Sequence, residues 1–192
     1  MIRIKERGNM DREQMMNRRD FLKIAAMAST VALFPNTAFA SREIPSAKSI
    51  SLYNIHTGEK LETTFWADGA YIPEAVADLN HLLRDYRNDS ATQMNTDLFD
   101  LLHTIRTNMG SNEPFQIISG YRSPQTNAML RSQSSGVAKH SLHMEGKAID
   151  INLPGRNLAD LRKVAMGLGR GGVGYYPSSN FVHVDVGRVR HW

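Results

Sequence analysis

Two short segments in which apolar and polar residues alternate, Lys147 to Leu153 and Phe181 to Val186, set the tightest limits on the fold. In the first, Ile149, Ile151 and Leu153 share one face of an extended chain, and Ala148, Asp150 and Asn152 share the other. In the second, Val182, Val184 and Val186 share one face, while Phe181, His183 and Asp185 share the opposite one. Each segment predicts a strand with an apolar face for the core and a second face bearing acid or imidazole groups. Two such strands side by side present a carboxylate and an imidazole to the same space. Gly146 permits a bend sharp enough to bring His143 back over the first strand.

His143, Asp150 and His183 then form a set of two imidazoles and one carboxylate. Such a set leaves the fourth position of a tetrahedral zinc open to water, as catalytic zinc sites do. The sequence has no cysteine, so zinc would be held by nitrogen and oxygen alone, and zinc fingers and ribbons are excluded. One zinc ion per chain is the cofactor these residues predict, and amide hydrolysis is the chemistry. A lone histidine is more often a hydrogen-bonded structural residue. The reading rests on the combination.

Other histidines receive the plainer reading. His140 and His143 have a His-x-x-His spacing, but Ser141 and Gly146 predict a loop there, so His140 is expected at the rim or in solvent. His56, His81 and His103 lack partner spacing and are expected to be structural. The run Gly169 to Gly174 has neither a preceding strand nor a following helix in the pattern, so it predicts close backbone approach rather than a phosphate cradle.

The string Ser141-x-His143-x-x-Gly146-x-Ala148-x-Asp150, followed by His183 on a valine-rich strand, resembles the LAS metallopeptidases, which include D-alanyl-D-alanine carboxypeptidases and murein endopeptidases. Ser119-Gly120-Tyr121-Arg122-Ser123-Pro124 is similar to the segment before the first zinc ligand of that group. Gly171 to Pro177, Phe181 to Asp185, Arg190-His191-Trp192 and the Asn54 to Glu59 turn are similar to its murein-endopeptidase branch. The resemblance implies an α+β domain of LAS or Hedgehog type, with a small antiparallel sheet carrying the zinc site and helices packed on it. It implies zinc ligands at His143, Asp150 and His183, and Arg122 near the substrate, holding an oxyanion or a free carboxylate of the peptide stem. The implied activity is hydrolysis of peptidoglycan cross-links, those involving meso-diaminopimelate. A D-alanyl-D-alanine carboxypeptidase and a zinc-containing peptidoglycan-binding module without hydrolysis are the alternatives.

The general base is left open. In the wider group an acid or histidine often stands two or three residues before the last ligand, but here those places hold Phe181 and Asn180. Asp185 is the nominee, either as base or as the acceptor that orients a zinc-bound imidazole. His191 and Glu145 are poorer candidates.

The first forty residues read as an export signal. Asn17-Arg18-Arg19-Asp20-Phe21-Leu22-Lys23 is a twin-arginine stretch, Ile24 to Phe34 is apolar, and Ala38-Phe39-Ala40 is a small-residue cleavage site. The apolar run is well short of the roughly 20 residues a membrane helix needs. Residues 1–40 are therefore expected to be a cleaved signal read by the twin-arginine export machinery, 41–48 a tether and 49–192 the peptidase domain, in the periplasm and without a stable membrane anchor. The signal holds seven Lys or Arg against four Asp or Glu, which leaves sixteen against fifteen in the rest. A balance so close to neutral offers no argument for nucleic acid.

Along the mature part, Ser51 to Phe65 predicts two strands with a turn at Thr57-Gly58, and Phe115 to Ser119 a third. Helices are predicted for Pro73 to Tyr86, from a cap at Asn95 or Thr96 to Gly110, for Ser123 to Arg131, and after a cap at Asn157.

Overall fold

The computed structural model describes residues 47–134 and 136–192. The expected signal and nearly all of the expected tether lie outside the described residues. Among the described residues, eight strands, numbered in chain order, form one sheet in the order β3-β2-β1-β4-β5-β7-β6-β8. Strand β1 spans Lys48–Asn54, β2 Lys60–Ala67, β3 Ala70–Tyr71 and β4 Phe115–Ser119. Strand β5 spans Ala148–Asn152, β6 Gly172–Tyr176, β7 Phe181–Asp185 and β8 Arg190–His191.

The α+β class holds, but the sheet is wider than expected and not wholly antiparallel. Strands β1 and β4 run parallel, with Leu52 opposite Phe115, and so do β6 and β8. The first pairing follows from its connection: a hairpin and two helices separate β1 from β4, which is ample chain for a crossover. Strand β1 starts earlier than the alternation implies. Lys48 anchors it, with Nζ 2.8 Å from Asp100 Oδ1 and 4.8 Å from the centre of the Trp66 ring.

Among the described residues, four helices accompany the sheet. Helix α1 spans Pro73–Leu82, α2 Thr96–Asn108, α3 Pro124–Gln133 and α4 Leu158–Leu168. The side chains of Asn95, Ser123 and Asn157 accept from Asp97 N, Thr126 N and Ala159 N, satisfying donors that the first turns of α2, α3 and α4 leave free. Helix α1 ends at Leu82 rather than at the expected Tyr86. Beyond it the donors leave the helical pattern, with Arg84 N on His81 O at 3.2 Å and Asp85 N on Ser90 O at 2.8 Å, and Leu82 O, which Tyr86 N would need, is taken by Asn54 Nδ2 at 3.0 Å.

Helix α1 packs on β2, α2 on β1, and α4 on β6 and β7. One apolar cluster joins them, from Ile50, Phe65, Leu79 and Phe99 through Phe115 and Ile151 to Val182, Val184 and Leu161. Each such buried side chain contributes about 1.5–3 kcal/mol against being left in water. Opposite that cluster, β5 and β7 carry the polar face read from the sequence. Among the described residues, no helix is long and apolar enough to cross a membrane.

Candidate active site

Strand register assembles the site. Ser119 on β4 stands opposite Asp150 on β5, Asp150 opposite His183 on β7, and His183 opposite Gly174 on β6. Directly paired residues of antiparallel strands point to the same face. One transverse row therefore brings the Ser119, Asp150 and His183 side chains together, with Gly174 contributing no side chain. His143 joins from a short 3-10 turn, Leu142–Glu145, between the Ser141 cap and Gly146. Gly146 has φ of 65°, and an added Cβ would stand 2.8 Å from Gln93 O, so both conformation and space require glycine there.

Three atoms meet at the centre. His143 Nε2 lies 3.2 Å from His183 Nδ1 and 3.3 Å from Asp150 Oδ1, and His183 Nδ1 lies 2.9 Å from Asp150 Oδ1. The far side of each ring fixes its tautomer. His143 Nδ1 is 2.8 Å from Gly120 O, an acceptor only, so that nitrogen carries the proton. His183 Nε2 is 3.0 Å from the Asp185 carboxylate and donates likewise. In the neutral rings both inner nitrogens then present lone pairs, facing an acceptor oxygen. Three acceptors in contact repel one another unless a cation or proton lies among them. Ligands at about 2.0–2.1 Å on a tetrahedral zinc stand about 3.3 Å apart, so the spacing and donor set fit a metal of that kind. All three residues are buried.

Burial alone would raise the Asp150 carboxyl, but His143 and His183 outweigh it and hold the group well below the usual carboxylate range. Burial opposes charge on His183 too, yet the hydrogen bonds to Asp150 and Asp185 raise it above the ordinary histidine value. Asp185, fully buried, accepts five hydrogen bonds: Oδ1 from Gly172 N, Gly187 N and Arg190 Nη1, and Oδ2 from His183 Nε2 and Arg190 Nη2. Burial works to raise its carboxyl, but these donors together hold it well below the usual range. The glycines at 171 and 172 allow this approach, since a Cβ at Gly171 would meet the Asp185 backbone and one at Gly172 its carboxylate.

Arg122 stands beside the trio. Its backbone N donates to His143 O at 3.2 Å, so the loop bearing the arginine is tied to the ligand turn through His143 twice, once by backbone and once by the ring on Gly120. Its Nη2 lies 3.4 Å from Ser119 Oγ and 3.8 Å from Asp150 Oδ2, and its buried Nε has no hydrogen-bond partner among the described residues. Burial pulls the guanidinium below its ordinary value, which Asp150 partly offsets. A guanidinium stays a cation near neutral pH. Asp85 holds the next residue: its Oδ2 accepts from Ser123 N at 2.9 Å.

A cleft of about 520 Å³ opens over these groups, lined by Arg122, His143, Asp150 and His183 on the floor and by Tyr176, Phe181 and Trp192 on one wall. His140 is exposed and lines the cleft as well. Glu145 points to solvent and pairs with Lys147 Nζ at 2.8 Å, and His191 is exposed outside the cleft lining. Asn180 turns back through a left-handed φ of 54° with its carbonyl on Asn152 Nδ2, and Phe181 stacks on Tyr176. His56 stacks on Tyr86 at 3.8 Å, His103 Nδ1 lies 2.8 Å from Ser49 O, and His81 Nε2 is 3.9 Å from Glu59, all away from the cleft. Arg190, Tyr176 and Trp192 received no role from the sequence. No local spacing marks them, because β8 reaches the site only through its pairing with β6.

The chain is similar to known proteins over most of its length. A family model described as Peptidoglycan L,D-endopeptidase MepK matches residues 42–192. A relative from Escherichia coli (strain K12), named Peptidoglycan L,D-endopeptidase MepK, is 44% identical over 176 residues, covering 92% of this chain and 97% of the relative. One from Haemophilus influenzae, named Probable peptidoglycan L,D-endopeptidase MepK, is 41% identical over 177 residues, covering 92% of this chain and 95% of its own length.

Proposed function

The chain belongs to the peptidoglycan L,D-endopeptidase MepK family of metallopeptidases, and from that membership we propose that it is an exported, zinc-dependent endopeptidase that cuts peptide cross-links of peptidoglycan. The observation that carries the metal part of the reading is the convergence of three acceptor atoms, 2.9–3.3 Å apart, whose tautomers are set from behind by Gly120 O and Asp185. The bond is read as one between an L and a D centre, and meso-diaminopimelate, which contains both, is the cross-linking residue. Export by the twin-arginine route to the periplasm rests on the Arg18-Arg19 stretch and on a polymeric substrate that lies outside the cytoplasm.

Zinc held by His143 Nε2, Asp150 and His183 Nδ1 would supply a Lewis acid at the floor of the cleft and lower the pKa of water there towards about 7. Arg122 supplies a second positive charge beside Asp150, placed to hold a peptide oxygen as negative charge develops on it. Burial strengthens that attraction, because little water competes with it. Asp185 is assigned to orienting His183 rather than to accepting a proton from substrate. Its five donors leave no ready lone pair, and the protein around it holds its basicity low. His143 and Arg122 are held together, since the 120–122 loop is bonded both to the backbone and to the ring of His143.

The test is digestion of purified murein by residues 41 to 192 with zinc, with a chelator, and with His143→Ala, followed by chromatography of the muropeptides. Conversion of cross-linked dimers to monomers, abolished by chelator and by the substitution, is the expected result. Release of D-alanine from intact dimers would replace the reading with a carboxypeptidase, and binding without cleavage would replace it with a recognition module.

A further inference from the structure

The metal-centre reading leaves two polar aromatic groups of the cleft wall unused. Tyr176, at the end of β6, stacks on Phe181 with ring centroids 4.6 Å apart and planes 19° apart. Its hydroxyl oxygen accepts the indole N–H of Trp192 at 2.7 Å. Trp192 is itself fixed in place. Its backbone N donates to Val173 O at 3.2 Å, and its O accepts from Tyr175 N at 3.1 Å. Its ring occupies the side-chain place vacated at Gly174, where an added Cβ would stand 2.7 Å from ring carbons, and it lies 5.3 Å from the His183 ring.

The direction of the indole bond matters. An indole N–H can only donate, so the Tyr176 oxygen is the acceptor and its own proton must point elsewhere. Among the described residues no acceptor takes that proton. The ring is held between Phe181 and Trp192, and all three residues line the cleft that Arg122 also lines. The bond fixes the phenol oxygen at the cleft and leaves its O–H free to donate to a ligand there.

We propose that Tyr176 is a substrate-binding residue that donates its O–H to an oxygen of the bound peptide, and that Trp192 is a positioning residue that fixes the direction of that donation. The proposal rests on the peptidase reading for the identity of the ligand. Arg122 and Tyr176 then hold the peptide through two separate donors lining the same cleft, one charged and one neutral.

The experiment is a double-mutant cycle on the full mature chain with zinc, comparing wild type, Tyr176→Phe, Trp192→Phe and the double variant. Two quantities are read: kcat/KM on a purified cross-linked muropeptide, and the affinity for the monomeric muropeptide by calorimetry, with zinc content measured for each protein. Loss of one hydrogen bond predicts that Tyr176→Phe lowers both by about tenfold. Trp192→Phe should lower them less, and the double variant should be no worse than Tyr176→Phe alone, because the tryptophan acts through the tyrosine. Wild-type values for Tyr176→Phe, or losses that add in the double variant, would overturn the proposal. If wild type cleaves nothing, the peptidase reading falls while the affinity series still decides the tyrosine. Should Trp192→Phe lose its fold, Tyr176→Phe, which removes one oxygen from a half-buried ring, decides alone.

Discussion

The two halves of the sheet solve different problems with the same strand geometry. Strands β1 and β2 bury Ile50, Leu52 and Phe65 against helices, while Lys60, Glu62 and Thr64 on the far side of β2 face solvent. Strands β5 and β7 are buried on both sides, with Ile149, Ile151, Val182 and Val184 inward and Asp150, His183 and Asp185 on the second face. A buried polar face is costly unless each group is paired. Here the pairing comes from loops and from β8, with Gly120 O on His143 and Arg190 on Asp185. The difference teaches that one half of the sheet carries stability and the other carries chemistry, although a single core joins them.

Substitutions can break or sharpen that division, in order of their effect on cleavage. His143→Ala should lower murein cleavage by about a thousandfold or more and abolish stoichiometric zinc, measured by muropeptide release and by metal analysis. Normal zinc content in that variant would contradict the ligand set. Arg122→Ala should cost about a hundredfold to a thousandfold in kcat with zinc retained. Arg122→Lys should recover only part of it, since an ammonium lacks the planar fork. An equal loss of zinc in both would make the arginine part of the metal centre instead. Asp185→Asn should weaken zinc about tenfold to a hundredfold, read by competition with a chelator, with cleavage recovering at saturating zinc. Failure to recover would return Asp185 to the list of proton acceptors. On the other half, Leu79→Ala should lower unfolding stability by about 2–5 kcal/mol in denaturant while cleavage per folded molecule stays at the wild-type level. A fall in kcat there would show that the division is not clean.

How far the sequence carries depends on whether the determinant is local. The faces of β5 and β7 follow from residue alternation alone, and α2, α3 and α4 start where Asn95, Ser123 and Asn157 cap them. The end of α1 does not, because Asn54, from a distant segment, takes Leu82 O and Asp85 N turns away to Ser90 O. The same holds in the site. His143, Asp150 and His183 stand out by their spacing around Gly146 and on alternating strands. Asp85, buried where the pattern reads as a helix, has no such mark, and its hydrogen bond to Ser123 N exists only in the fold. Arg190 and Trp192 depend on the parallel pairing of β8 with β6, which no short-range pattern encodes.

The transverse row of Ser119, Asp150, His183 and Gly174 has a kinetic meaning. Its members come from four strands, and a slip of one residue in any pairing would send that strand's polar groups into the apolar cluster. The chain thus has no partly assembled form that can cut. The pairing of Gly174 with His183 is a local hairpin, but those of Ser119 with Asp150 and of Asp150 with His183 join segments far apart in sequence and close later, because loop entropy opposes them until the core rewards them. Recovery of hydrolysis during refolding should therefore coincide with the slowest structural phase, so that activity itself reports when the last strand has found its register.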